Sequence, residues 1–473
     1  MFFREKFIVD YYLKNFKKKI FILKINNYFF KYLSRSLKFM IDSSSNFLFI
    51  GMCQYPFLQK IKFKKINIFE ISKNFVEEYK TINQTSEIKN LEGHEIEQNK
   101  HYDKILITSL EFEKDPLNLL KEVRKNITND GRLFIVKYNL WWSPVLKILD
   151  FFKLRLQSPY QNVISNSFLN SISEQADFEI IHKEDQMLLP AYIPIVSFVF
   201  NKILAKLPIL KFFCFINIFV LRPIEKKDNL DNYKISIIIP CKNEELNIKK
   251  VVESIPKMGK KVQVLFGDDK STDNTRNEIK KYVKKSENFE IDLYDGPGLC
   301  KSENVYKGFD KADGDLIAIL DADSTVNANE LTDFFNLLVT KKYDFINGTR
   351  FIYPMSSNAM KKFNYIGNIL FSYLFSLLLK IRVTDTLCGT KVFYRKDWVK
   401  IKKDIGKWGM KDMWGDYDLL IGAKKNFLKI GEKPVYYQDR EQGISKMTNV
   451  LNNGLRMLVI IFYSFYKLKF KKI

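Results

Sequence analysis

Short runs of apolar and β-branched residues, each closed by polar residues and followed by an amphipathic stretch, recur along the chain and constrain it to an α/β fold with parallel strands. In the first half these runs are Phe47-Leu48-Phe49-Ile50, Ile66-Asn67-Ile68-Phe69, Lys104-Ile105-Leu106-Ile107 and Arg132-Leu133-Phe134-Ile135-Val136. In the second half they are Ile235 to Ile239, Val262 to Phe266 and Leu316 to Leu320. A chain of 473 residues exceeds the roughly 250 to 300 residues at which single cores stop growing, so two domains are expected. The polar, aperiodic stretch from Arg222 to Asn232 reads as the linker between them. The implied plan is a basic, aromatic helical region over 1–45, a first sheet domain over 46–221, the linker 222–232, a second sheet domain over 233–446 and a basic amphipathic tail over 447–473.

Charge narrows the partners without choosing one. The net charge is +23, from 77 Lys and Arg against 54 Asp and Glu, which suits nucleic acid, an anionic membrane surface or a phosphorylated substrate. The Lys, Ile, Asn and Phe bias also fits an AT-rich coding sequence, which halves the weight of that charge. Five cysteines, Cys53, Cys214, Cys241, Cys300 and Cys388, are widely spaced and never form a C-x-x-C pair, against disulfides or a cysteine zinc site. The three histidines, His94, His101 and His182, all precede the second half, so chemistry there rests on carboxylates. The first forty residues alternate aromatics with lysines and contain no signal-peptide pattern, which predicts a cytoplasmic protein.

Three strands of the second half end in polar or acidic residues, the place where ligands sit in open α/β sheets. The first runs into Pro240-Cys241-Lys242-Asn243-Glu244-Glu245, the second into Gly267-Asp268-Asp269-Lys270-Ser271-Thr272-Asp273, and the third into Asp321-Ala322-Asp323. The Ser-Thr-Asp cluster alone reads as a helix cap. A D-x-D also arises by chance in many loops, but at the end of an apolar strand it offers hard carboxylate oxygens to a divalent cation that can bridge a diphosphate.

With these residues in order, the segment from about Lys234 to Lys446 resembles the family 2 glycosyltransferases of GT-A fold, and among them the dolichol-phosphate-mannose-synthase-like branch. Further matching stretches are Gly296-Pro297-Gly298, Asn347-Gly348-Thr349-Arg350, Asp385-Thr386-Leu387-Cys388-Gly389-Thr390-Lys391, Trp414-Gly415-Asp416-Tyr417-Asp418 and Arg440-Glu441-Gln442-Gly443-Ile444-Ser445-Lys446. Cys241 and Lys242 depart from the small or aromatic residues common there. The resemblance implies a nucleotide-diphosphate-sugar donor held by Pro240, Asn243, Glu244, Asp268, Asp269, Asp321, Arg440, Ser445 and Lys446. It implies a divalent metal, Mg2+ or Mn2+, on Asp321 and Asp323. It also implies acceptor-side roles for Arg350, Asp385, Cys388 and Gly389, and an inverting displacement with Asp416, or secondarily Asp418, as the base. The bland reading of Asp416 and Asp418 is that they cap the helix beginning near Tyr417. A polyprenyl phosphate or lipid-linked glycan is the expected acceptor, and a phosphate acceptor needs no base.

The first domain resembles class I S-adenosylmethionine methyltransferases through Asn46 to Gly51, the strand ending at Glu70, Tyr102 to Ile107 and Asn129-Asp130-Gly131-Arg132-Leu133. The resemblance implies a Rossmann-like sheet with Gly51 and Glu70 at an S-adenosylmethionine site. The loop Gly51-Met52-Cys53-Gln54-Tyr55-Pro56 has one glycine followed by bulky residues, which predicts weak or absent binding of that cofactor.

The alternatives are a bifunctional transferase that also methylates, a nucleotidyltransferase, and a nucleic-acid-binding protein, the last without any recognition module. Membrane-surface association without a span is expected. Phe363 to Leu379 is uncharged between Lys361, Lys362, Lys380 and Arg382, and spanning there would put Asp323 and Asp416 on opposite sides of a bilayer. Met457 to Tyr463 followed by Lys467, Lys469, Lys471 and Lys472 reads as an in-plane anchor on the inner face of the cell membrane.

Overall fold

The computed structural model describes residues 6–41, 46–51, 58, 61, 65–69, 77, 87–90, 101–152, 162–207, 209–353, 362–438, 440 and 450–470. The chain divides into two compact units, residues 1–225 with 469–473, and residues 226–468.

The first unit opens with three helices, α1 (Lys6–Lys14), α2 (Phe16–Ile25) and α3 (Asn27–Met40). Its sheet contains β1 (Phe47–Ile50), β2 (Lys65–Phe69), β3 (Glu87–Asn90), β4 (Tyr102–Ile107), β5 (Ile127–Tyr138), β6 (Phe178–Gln186) and β7 (Ile216–Pro223), in the order β3-β2-β1-β4-β5-β7-β6. β4 leads through α4 (Pro116–Asn126), which starts with Asp115 accepting from the Asn118 N–H at 2.9 Å and Pro116 in its first turn. α5 (Ser143–Phe151) follows β5, and α6 (Asn166–Gln175) precedes β6. Strands β1 to β5 are parallel, as the apolar runs predict, but β7 is antiparallel to both β5 and β6, so the sheet is mixed. Arg222 and Pro223, expected in the linker, instead close β7. Every residue of that strand is buried, and Arg222 pairs with Glu179 of β6.

The second unit has eight strands: β8 (Lys234–Cys241), β9 (Lys261–Asp268), β10 (Lys284–Lys285), β11 (Phe289–Asp295), β12 (Leu316–Ile319), β13 (Phe345–Thr349), β14 (Lys391–Tyr394) and β15 (Ile430–Pro434). Their order is β10-β11-β9-β8-β12-β14-β13-β15. β11, β9, β8 and β12 are parallel, β14 is antiparallel to β12 and β13, and this sheet too is mixed. The helices are α7 (Glu245–Ser254), α8 (Thr275–Lys280), α9 (Lys301–Lys311), α10 (Leu331–Val339), α11 (Lys362–Leu379), α12 (Arg395–Lys402), α13 (Asp416–Lys425) and α14 (Val450–Phe465). One core runs from Ile237 and Ile239 through Val264, Phe266 and Ala318 to Phe334, Leu338 and Val392. That packing fixes where the strands end. β8 pairs with β9 on one side and β12 on the other, so the chain reverses direction across the sheet there and opens a crevice beyond the carboxyl ends of β8 and β12.

Candidate active site

The loops beyond β8 and β9 are laced together. Asn243 stands in the left-handed region at φ 53°, where asparagine is among the few side chains tolerated. Its N–H donates to Ser271 Oγ at 3.0 Å and its carboxamide oxygen accepts from the Thr272 N–H at 2.8 Å. The Glu244 N–H donates to Thr275 Oγ1 at 2.8 Å, and Glu244 Oε2 accepts from Asn247 at 2.7 Å. Asp268 accepts from the Ser271 N–H at 3.1 Å and from Arg276 at 3.3 Å. Asp269 accepts from the Gly298 N–H at 2.6 Å. Pro240 lies in the last turn of β8. Thus Asn243, Glu244, Asp268 and Asp269 come together, three of them buried, and their polar atoms shape the crevice wall. The Ser-Thr-Asp cluster does act locally: Asp273 accepts from the Thr275 N–H at 3.0 Å at the start of α8.

The two acids beyond β12 each carry a cation. Lys301, the first residue of α9, donates to Asp321 at 2.5 Å, and Arg440 pairs with Asp323. Asp323 also accepts from Thr325 Oγ1 at 2.7 Å. Desolvation opposes charge on Lys301, but Asp321, Asp416 and Asp323 outweigh it and raise its pKa above the ordinary lysine range. Desolvation likewise opposes charge on Asp321, but Lys301, Lys391 and Arg350 overcome it and hold that carboxyl below its usual range. Asp321, Asp323 and Asp416 therefore share one electrostatic cluster. Gly389 packs so closely on Asp321 that a Cβ there would collide with the carboxylate.

Arg350 and Asp385 form a buried two-pronged pair, Nε to Oδ2 at 2.6 Å and Nη2 to Oδ1 at 2.8 Å. The Tyr437 ring lies 5.2 Å from the guanidinium. Cys388 beside them is buried, and burial followed by the Asp385 charge pushes its thiol up to about 12, so it is a packing residue in its neutral form. Asp416 begins α13 and pairs with Lys391, which is wholly buried and also donates to the Cys388 carbonyl at 2.6 Å.

The cap of α13 is neither Asp416 nor Asp418. Asp412 accepts from the N–H groups of Trp414 at 3.0 Å, Tyr417 at 2.8 Å and Asp418 at 3.0 Å. Asp418 faces the hydroxyl of Tyr306 at 3.4 Å, and burial, then the Asp412 charge, raise its carboxyl to about 7. Lys301 and Asp412 escaped notice in the sequence. Lys391 stood in a quoted motif without a role. A lysine three residues after Gly298 at a helix start is the one signal that pointed to Lys301. Ser445, Lys446 and Glu70 lie outside the described residues, while Gly51 directly follows β1 and its N–H donates to the Phe69 carbonyl at 3.3 Å.

Among the described residues no group of three His, Cys, Asp or Glu converges as a metal cage. Asp321 and Asp323 nonetheless supply the two hard oxygen donors that a magnesium-type ion takes when substrate phosphates complete its shell. A cavity of about 540 Å3 opens elsewhere, between Asp228, Tyr233, Asp315, Lys341 and Arg395 at the amino ends of β8 and β12, and none of the expected site residues lines it.

Residues 236–401 match the family described as Glycosyl transferase family 2. The low-salt glycan biosynthesis hexosyltransferase Agl6 of Haloferax volcanii is 29% identical over 213 residues, covering 44% of this chain and 48% of that protein, so the match spans about half its length. The UDP-N-acetylglucosamine–dolichyl-phosphate N-acetylglucosaminyltransferase of Methanococcus voltae is 26% identical over 260 residues, covering 50% of this chain and 97% of that protein. The dodecaprenyl-phosphate galacturonate synthase of Rhizobium johnstonii is 24% identical over 247 residues, covering 51% and 70%. Among solved structures, glucosyl-3-phosphoglycerate synthase from Mycobacterium tuberculosis with uridine diphosphate is 14% identical, covers 52% of this chain and 86% of that one, and has a TM-score of 0.37, at which it supports no conclusion. The segment 236–401 is a family 2 glycosyltransferase domain.

Proposed function

We propose that residues 226–468 transfer a hexose from a nucleotide-diphosphate sugar to a polyprenyl phosphate, with inversion at the anomeric carbon. The observation that carries this reading is the pair of acids beyond β12, each neutralised by a cation that can exchange to phosphate: Lys301 on Asp321 and Arg440 on Asp323. The nucleoside end of the donor occupies the crevice wall built by Asn243, Glu244, Asp268 and Asp269. Asp321 and Asp323 would hold a divalent ion, which would neutralise charge on the leaving diphosphate. Lys301 and Arg440 turn toward the same oxygens as the sugar–phosphate bond breaks and the acceptor oxygen bonds to the opposite face of the sugar.

The acceptor class rests on chemistry at Asp416. The Asp416 carboxylate is already engaged by the buried Lys391 ammonium, and an ionised phosphate acceptor needs no base. The Methanococcus and Rhizobium relatives, named for dolichyl phosphate and dodecaprenyl phosphate, agree with it. The lipid is met at the inner membrane face through α11 and α14. These helices pack on one another, the inner side of α11 sets Phe375 against Tyr417 next to Asp416, and its outer side exposes Ile366, Leu370 and Tyr373. Among the described residues no helix is long and apolar enough to cross a membrane.

The test is mass spectrometry of full-length protein with magnesium, a panel of nucleotide sugars and a polyprenyl phosphate. A glycosylated lipid phosphate with release of nucleoside diphosphate is expected. Transfer of a nucleotidyl group would mark a nucleotidyltransferase and overturn the reading.

For the first unit we propose a methyltransferase-like sheet with little hold on S-adenosylmethionine. β1 stands at its switch point between β2 and β4, with Gly51 at the carboxyl end, which is where such a cofactor would sit. The bulky residues after Gly51 oppose it, and calorimetry is expected to find no micromolar binding.

A further inference from the structure

The segment between β6 and β7 inverts the usual arrangement of a surface loop. Its polar side chains turn inward. Ser197 Oγ accepts from the Ile193 N–H at 2.7 Å and donates to the Ala191 carbonyl at 2.9 Å. Asn201, fully buried, donates to the Leu189 carbonyl at 2.7 Å and to the Tyr28 hydroxyl of α3 at 3.1 Å, and accepts from the Leu189 N–H at 2.8 Å. From the adjoining segment, Asn139 holds the Phe212 carbonyl at 2.7 Å and the Cys214 carbonyl at 2.8 Å, and Trp142 Nε1 holds the Phe213 carbonyl at 2.8 Å.

The apolar side chains turn outward. Ile195 is 81% exposed, Ile209 75% and Phe212 58%, and Phe198 is exposed between them. Trp141, 70% exposed, extends this surface with its ring 6.2 Å from that of Phe213. Ile195 also sits at φ 64°, a conformation that is costly for a β-branched residue, so the fold spends strain to hold an isoleucine at the tip. Exposed large apolar side chains gathered along one segment mark an interaction site.

Charge identifies the occupant. From Gln186 to Ile224 there is no Asp or Glu, while Lys202, Lys206 and Lys211 are interspersed with the apolar residues. The three-residue helix Val196–Phe198 and the turns that follow are too short to cross a bilayer but suited to lying in its headgroup layer, apolar side down, with lysines among anionic lipids. We propose that this segment, braced by α3 and by residues 139–142, is a lipid-inserting surface of the first unit that binds anionic bilayers. It belongs to the first unit, whereas α11 and α14 belong to the second, and it does not depend on the sugar-transfer reading.

The full-length protein is tested by sedimentation with phosphatidylglycerol–phosphatidylcholine vesicles and with phosphatidylcholine vesicles alone, and by quenching of tryptophan fluorescence with brominated lipid. Wild type is expected to partition at least tenfold more strongly to the anionic vesicles. The triple variant Ile195→Glu, Phe198→Glu, Phe212→Glu should lose at least tenfold of that partition at unchanged melting temperature, while Val399→Glu, an exposed apolar site in α12, loses none. Trp141→Phe should lower the quenching, and the part it removes reports on this surface, because Trp141 packs against Phe213 of the segment. Unchanged partition of the triple variant, or unchanged quenching in Trp141→Phe, overturns the proposal. So does a lipid-independent dimer that the triple variant abolishes, since the patch would then be a protein interface. Neither readout involves sugar transfer, so failure here leaves that reading standing, and the reverse also holds.

Discussion

The ammonium of Lys391, at the start of β14, donates to the carboxylate of Asp416 at the start of α13, and both groups are buried. Removing one partner strands the other charge. Lys391→Met is expected to cost about 3–5 kcal/mol in chemical denaturation, whereas Lys391→Met with Asp416→Leu recovers most of it. Asp416→Asn keeps a hydrogen-bond acceptor for Lys391. It should leave turnover close to wild type, because an ionised phosphate acceptor needs no base; a turnover loss larger than the loss of donor binding measured by calorimetry would mark Asp416 as the base and count against a phosphate acceptor.

Asp323→Ala is expected to abolish sugar transfer with magnesium or manganese while the melting temperature changes little. Asp323 lies in a loop beyond β12 and pairs with Arg440 rather than with the core. Chelation by EDTA should reproduce the loss in wild type. Turnover near wild type in Asp323→Ala would remove this acid from the reaction.

Gly389→Ala tests the packing of the acceptor-side loop on Asp321. The added Cβ falls on the Asp321 carboxylate and must push it off Lys301. Transfer is expected to drop at least a hundredfold with the far-ultraviolet circular dichroism intact. Gly406→Ala is the comparison for stability alone, because a Cβ there meets nothing within 4 Å but must adopt φ 71°.

Asp418 sets a pH dependence of stability. Its carboxyl is raised to about 7 by burial and by Asp412, while in the unfolded chain it titrates near ~4. Between these values the folded chain binds the extra proton, so this group's stabilisation is complete below about pH 4 and is lost as pH rises through about 7. Asp418→Asn should therefore gain up to about 4 kcal/mol over wild type at pH 8 and little at pH 4. Parallel urea-unfolding profiles for the two proteins would show that another group is responsible.

The acids beyond β8, β9 and β12 were legible because a strand's apolar run and its polar end are both local in sequence. The partners of those acids were not. Lys301 meets Asp321 only because α9 starts where β12 ends, and Lys391 meets Asp416 only because β14 and α13 begin at neighbouring points. Asp412, Asp416 and Asp418 look alike as letters, and the backbone alone selects Asp412 as the cap. Arg222 and Pro223 read as linker because they are polar or rigid, yet Glu179 lets Arg222 finish a buried strand.

If Asp321 and Asp323 hold a divalent ion as proposed, the cations on them would also govern how that ion and a nucleotide arrive. With Lys301 and Arg440 cancelling both carboxylates, the local field is close to neutral, and a free ion gains little from entering. On the proposed reading, a donor diphosphate would draw the two cations away and free carboxylate oxygens for the ion. Ion and nucleotide affinities are then linked, each raised by the other by the same factor. Titrating manganese by paramagnetic resonance should accordingly find weak sites without nucleoside diphosphate and tight ones with it.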